Sequence, residues 1–140
     1  MSTSFQNQTG DDDRHTGQCL CGSVRYSVVG PLRPVIGCHC RSCRRQSGHF
    51  VAATQAPRVA IDIDGLKNIT WYQATDAARR GFCRKCGSLM FWEPVGGDVL
   101  SLMAGSMDEP TGLRLSAHIH VSEKGDYYDI EDDLPQFSAR

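Results

Sequence analysis

The sequence predicts a mostly β domain of short strands with one short helical turn, and three observations carry that expectation. Larger apolar and aromatic residues alternate with small or polar ones in brief runs, as half-buried strands require. Glycine, proline and aspartate interrupt these runs at close intervals. A single stretch, Arg41-Ser42-Cys43-Arg44-Arg45-Gln46-Ser47, is closed by Gly48, the pattern of one or two helical turns with a glycine C-cap. At 140 residues the chain suits one domain, small enough for metal cross-links to matter to its stability.

Residues 1 to about 16 are polar and carry Asp11, Asp12 and Asp13, so they are expected to form a disordered leader, with the folded domain over 17–137. Ser23 to Val28 alternates as a half-buried strand and ends at Gly30-Pro31. After the helical turn, strand-like segments run Phe50 to Thr54, Ile69 to Gln73, Arg79 to Phe82, Leu89 to Glu93, Val99 to Met103 and His118 to Ser122. These short strands are expected to pair antiparallel. Trp71, Phe82, Phe91 and Trp92 are expected in the core, and the tail is expected to pack back through Leu134 and Phe137.

A formal net charge of −1 gives no global pull toward nucleic acid. The basic residues are unevenly placed, however, with Arg41, Arg44 and Arg45 beside one cysteine group and Arg79, Arg80, Arg84 and Lys85 around another. One reading is an ordinary solvated surface. The other is a positive rim that attracts an anionic small molecule. The N-terminal run MSTSFQNQTGDDDRHTG has an acidic character and no apolar stretch of signal-peptide length, and no segment approaches a membrane span of about 20 apolar residues. The expectation is a cytoplasmic protein with no membrane partner, in which the glycosylation pattern Asn68-Ile69-Thr70 is not used.

Seven cysteines are an odd number and cannot all pair within the chain; a reducing compartment favours thiolates available for metal. Cys83-Arg84-Lys85-Cys86-Gly87 has the mechanics of a zinc knuckle: two spacer residues let a tight turn bring both sulfurs to one ion, and Gly87 supplies a left-handed backbone. Cys19-Leu20-Cys21-Gly22 is a second tight pair. Neither pair completes four-coordinate zinc alone, so Cys19, Cys21, Cys83 and Cys86 together give the expected closed structural site. Cys38, Cys40 and Cys43 then offer three sulfurs with a fourth position open, which is the mark of a catalytic rather than a structural zinc site. Cys43 falls within the helical turn and Cys40 just before it, where free backbone N–H groups and the helix dipole favour thiolate. The alternative for this group is buried or redox-active thiols without metal. His39 is expected to hydrogen-bond or face solvent rather than ligate, since adjacent residues rarely aim at one ion. His118 and His120 are placed on one face of a strand-like segment, as a structural pair or, alternatively, as metal ligands or proton carriers. No GxSxG, P-loop, GxGxxG or HExxH pattern occurs, so serine hydrolysis, phosphoryl transfer and hydride transfer have no visible machinery.

The segments GQCLCGSVRYSV, CHCRSCRRQSGHF, RGFCRKCGSLMFW and AGSMDEPTGLRLSAHIHV, in that order, resemble the glutathione-dependent formaldehyde-activating enzyme family, also called the GFA or CENP-V family. The resemblance runs from about Gly17 to Phe137. It implies an Mss4-like fold with two zinc ions per chain, a structural one on Cys19, Cys21, Cys83 and Cys86 and an exchangeable one on Cys38, Cys40 and Cys43. It also implies a carbon-sulfur lyase-type activity that joins a small thiol such as glutathione to formaldehyde or another small aldehyde. Arg41, Arg44 and Arg45 are candidates to receive the carboxylates of such a thiol. An Mss4-like zinc domain that binds a protein partner without catalysis is the competing reading, and the intact CxCxxC set favours the enzyme.

Overall fold

In the computed structural model, which describes residues 6–140, the strand alternation read from the sequence becomes two packed sheets. In β2 (Arg25–Val29) Tyr26 and Val28 are buried while Arg25 and Val29 face outward. β2 lies between β1 (Arg14–Gln18) and β5 (Ile61–Asp64) in a three-stranded antiparallel sheet. The second sheet has seven strands in the order β10 (Leu115–Ile119), β3 (Val35–Cys38), β4 (Val51–Pro57), β9 (Val99–Met103), β8 (Leu89–Pro94), β7 (Ala78–Cys83) and β6 (Ile69–Tyr72).

The small sheet packs on one face of the large one. Val24, Tyr26, Val28 and Ile61 meet Phe91, Leu100 and Leu102 in the main core, and Tyr26 contacts Phe91 edge-on at 5.9 Å between ring centres. The opposite face carries α1 (Arg41–Ser47) over a smaller cluster of Cys43, Val51, Ala53 and Met103, with Leu89 and Trp92 against it. Phe91 is fully buried as expected and Trp71 stacks on it, but Trp71, Phe82 and Trp92 are each only half-buried. α1 matches its expected span, and Gly48 closes it at φ 88 with its N–H donating to Arg44 O.

Several boundaries depart from the sequence reading. The segment expected as a leader is partly structured: residues 1–5 lie outside the described residues, but β1 begins at Arg14. Before it, Gln8 N–H donates to Leu32 O and Gly30 N–H to Asp13 O, while Asp13 accepts from Gly10 N–H. A short polar segment is held here by backbone pairing, which hydropathy does not register. β3 was not anticipated because Val35, Ile36 and Gly37 are all buried and show no alternation. β5 was also missed. The β10–β3 pair is parallel, against the expectation of antiparallel strands throughout.

β10 ends at Ile119, three residues before the expected limit at Ser122, because His120 takes a left-handed backbone at φ 55. His118 and His120 therefore do not share a strand face: His118 is 2% exposed and His120 lies past the strand end. The tail does pack back, although through its backbone. His118 N–H donates to Pro135 O, Phe137 N–H to His118 O and Ser122 N–H to Ser138 O, while the Phe137 ring stays 40% exposed.

Gly17 sits where the sheets close on each other. A Cβ there would lie 2.3 Å from the Tyr26 hydroxyl and 2.6 Å from Ser106 O. Gly17→Ala should lower stability by about 1–3 kcal/mol through overpacking. Urea denaturation monitored by tryptophan fluorescence checks this, with an unchanged midpoint as the contrary result.

Candidate metal centres

The turn before β2 and the turn after β7 each end in a glycine with a left-handed backbone, Gly22 and Gly87, both at φ 80. These turns fold Cys19, Cys21, Cys83 and Cys86 toward one point, with the four sulfurs within 4.8 Å of one another. Cys21 Sγ is 3.7 Å from Cys19 Sγ and 3.8 Å from Cys83 Sγ. A regular tetrahedron with zinc–sulfur bonds of about 2.3 Å has edges of about 3.8 Å, so the spacing fits such an ion and excludes disulfides. The environment favours thiolate at the outer pair. The Ser88 hydroxyl at 3.2 Å holds Cys86 down to about 5, and Ser23 lowers Cys21 in the same way. Val24 N–H and Lys85 N–H donate to Cys19 and Cys83.

The second group forms where β3 runs into α1. Cys38 ends the strand, Cys40 is the helix N-cap, and Cys43 lies one turn in and is buried; the three sulfurs are again within 4.8 Å of one another. Cys43 N–H donates to Cys40 Sγ at 3.3 Å. The Cys38 and Cys43 thiols also hydrogen-bond to Cys40 and hold it far below the usual thiol range, while Cys38, sharing its proton with that thiolate, is pushed far up. The group thus presents converging soft donors, a set that suits a zinc-like cation and supplies three ligands. All seven cysteines are free.

The basic residues are arranged differently from the sequence reading. Arg41 is exposed and its backbone N–H binds Glu123 Oε1; Arg44 Nε donates to Glu123 O at 2.9 Å; Arg45 is exposed. The guanidinium that reaches the three-cysteine group is that of Arg80, grouped from sequence with the other pair. Its Nη1 is 3.5 Å from Cys43 Sγ and 3.3 Å from Gln46 Oε1, and Arg80 is 7% exposed. Alternation on β7 explains this. Arg79 pairs with Glu93 and lies over Trp71, whereas Arg80 faces the other side of the sheet with Trp92 and α1.

Sequence reasoning also missed a buried polar chain beside this group. Asp132 Oδ2 is 2.9 Å from His118 Nε2, His118 Nδ1 is 2.9 Å from His39 Nε2, and Tyr128 OH is 2.7 Å from His39 Nδ1. An ionised Asp132 accepts from His118 Nε2–H, which leaves His118 Nδ1 to accept from His39 Nε2–H and His39 Nδ1 to accept from the phenol. His39, 1% exposed and stacked on Phe50 at 4.5 Å, is kept neutral by burial and then by His118, which together bring it down to about 4. His39 is therefore a hydrogen-bonding residue, as anticipated, and its chain anchors the backbone between Cys38 and Cys40. The acidic residues near the C-terminus were the one available signal for this partner.

Comparison with known proteins places these centres in context. The family model described as glutathione-dependent formaldehyde-activating enzyme matches residues 14–123. An uncharacterized lyase of Schizosaccharomyces pombe is 25% identical over 129 residues, spanning 89% of this chain and 91% of the relative. A protein of Halomonas elongata, provisionally named a glutathione-dependent formaldehyde-activating enzyme, is 26% identical over 125 residues, 82% of this chain and 80% of its own. A crystal structure of a Rhodobacter sphaeroides protein superposes with a TM-score of 0.57 at 21% identity, covering 86% of this chain and 98% of that one; it shows the shared fold.

The two centres should respond differently to loss of a ligand. Cys83→Ser removes a sulfur from the group that ties two distant turns, and closed zinc sites contribute on the order of 10 kcal/mol to folding. That variant should be insoluble or lack a cooperative melt. Cys43→Ser should melt cooperatively and bind one metal ion fewer by elemental analysis. Identical melting of the two variants would show that the centres have no such division of roles.

Proposed function

The chain belongs to the glutathione-dependent formaldehyde-activating enzyme family, and on that footing we propose that it is a zinc-dependent lyase that makes and breaks the carbon–sulfur bond between a small thiol and a small aldehyde. One observation carries the reading: two cysteine groups of different completeness in one domain, four sulfurs closed around one point and three converging on another. A pure binding module has no need of a three-ligand centre.

Cys19, Cys21, Cys83 and Cys86 would hold a structural zinc, and Cys38, Cys40 and Cys43 a second zinc. When bound, that second ion supplies Lewis acidity at an open coordination position. The remaining chemistry lies with the residues of the chain. Cys40, as helix cap, is fixed by Cys43 N–H, and Cys38 by the pairing of β3 with β4 and β10. The His39, His118, Asp132 and Tyr128 chain holds the intervening backbone, so the donor triangle does not depend on the ion for its shape. Leu89 and Trp92 pack on the cysteines and limit water on that side. Thiol addition to an aldehyde then needs the two reactants held together and the developing charge stabilised, both within the reach of a preorganised site.

The reaction proceeds without a catalyst, so the informative measurement is exchange at equilibrium. Glutathione and formaldehyde with zinc-loaded protein should show hemithioacetal exchange by NMR at least about tenfold above background, which corresponds to roughly 1.4 kcal/mol of barrier. Cys43→Ser should return the rate to background. Absence of any enhancement across a panel of thiols and aldehydes would favour a protein-binding zinc domain instead.

A further inference from the structure

Arg80 is a buried cation with no carboxylate partner among the described residues. A guanidinium withdrawn from water needs an anion to offset its desolvation. Its side-chain hydrogen-bond acceptors are Cys43 Sγ and Gln46 Oε1, and of these only the sulfur can carry charge. The closed four-cysteine group is treated differently: its basic neighbours Arg84 and Lys85 are exposed. Buried positive charge is thus supplied to the three-sulfur centre and withheld from the four-sulfur one.

Formal charge gives this placement a meaning. Three thiolates around a divalent cation leave one net negative charge, which repels any further anion. With Arg80 the centre is neutral. A groove of about 480 Å³ is lined by Gln46, Ser47, Phe82, Gly87 and Leu89. Two of these residues relate it to the centre: Leu89 packs on the cysteine cluster, and Gln46 accepts from Arg80. Its other lining includes Gly87 of the Cys83–Gly87 knuckle. Its volume lies within the range of small-molecule sites, and its lining combines an apolar floor with polar edges.

We propose that Arg80 is the anion-recruiting residue of the three-cysteine centre, offsetting its thiolate charge so that the sulfur of a small thiol enters as thiolate while the body of that thiol lies in the groove between α1 and the Cys83–Gly87 knuckle. The thiol's proton leaves to solvent, and no bond in the protein is made or broken. The proposal rests on the thiol reading of the preceding section. It concerns the sulfur of that thiol and is separate from the carboxylate contacts for which Arg41, Arg44 and Arg45 are candidates.

Calorimetric titration of the zinc-loaded protein with glutathione and with S-methylglutathione, without aldehyde, tests it. The wild type should bind the thiol more tightly than the thioether. Arg80→Gln should weaken thiol binding by about 10- to 150-fold, the range for a hydrogen bond to a charged group, and thioether binding by less than about threefold. Arg80→Lys, which restores the charge without the fork, should recover most of the loss, whereas a merely structural role would not distinguish thiol from thioether. Should Arg80→Gln fail to fold, Gln46→Ala decides: it leaves the guanidinium in place but unanchored, and should reduce the thiol preference selectively. Equal weakening of both ligands, or none, overturns the proposal. Since no aldehyde is present, selective loss of thiol binding would stand even if the lyase assay proved negative.

Discussion

The convergence of four sulfurs from two turns, with Cys21 and Cys83 62 residues apart, governs the rest of the architecture. One turn joins β1 to β2 in the small sheet and the other follows β7 of the large sheet, so a single point links the two layers. A domain of this size has limited apolar area to hold two sheets together, and its main core is correspondingly compact around Phe91, Leu100 and Leu102. Closing the link brings β7 into place, and β7 carries Arg80 to the far side of the sheet. The four-cysteine group is thus connected through one strand to the three-cysteine group.

The three-cysteine group is built by separating two tasks. Its donors come from a strand end and a seven-residue helix, both local in sequence, whereas the groups that set its electrostatics come from distant strands and from the C-terminal segment. Arg80 and the histidine chain approach from different sides and act differently. The first supplies charge; the second supplies rigidity while remaining neutral at His39. Keeping the positive charge on one side leaves a direction along which an anion meets attraction.

How much of this was legible in the sequence follows from which interactions are local. The cysteine groups, the glycine-closed turns and α1 could be read because spacing alone fixes them, and β9 because Val99 to Met103 is a short apolar run around Ser101. β3 was hidden by burial on both faces, β1 by pairing through backbone groups, and the end of β10 by the left-handed turn at His120. The arginines show the same divide. Proximity in sequence singled out Arg41, Arg44 and Arg45, of which Arg44 donates its Nε to Glu123 O. Arg80 required knowing which face of β7 looks toward α1.

The parallel pairing of β10 with β3 bears on the order in which the molecule is assembled as it leaves the ribosome. The CxCxxC turn and the β3–β4 pair are complete by Pro57 and are separated from their partner β10 by the strands β5 to β9. His118, Tyr128 and Asp132, which fix that turn, are synthesised nearly last. Until β10 and the C-terminal segment are in place, the three cysteines lack the contacts that hold the backbone around His39.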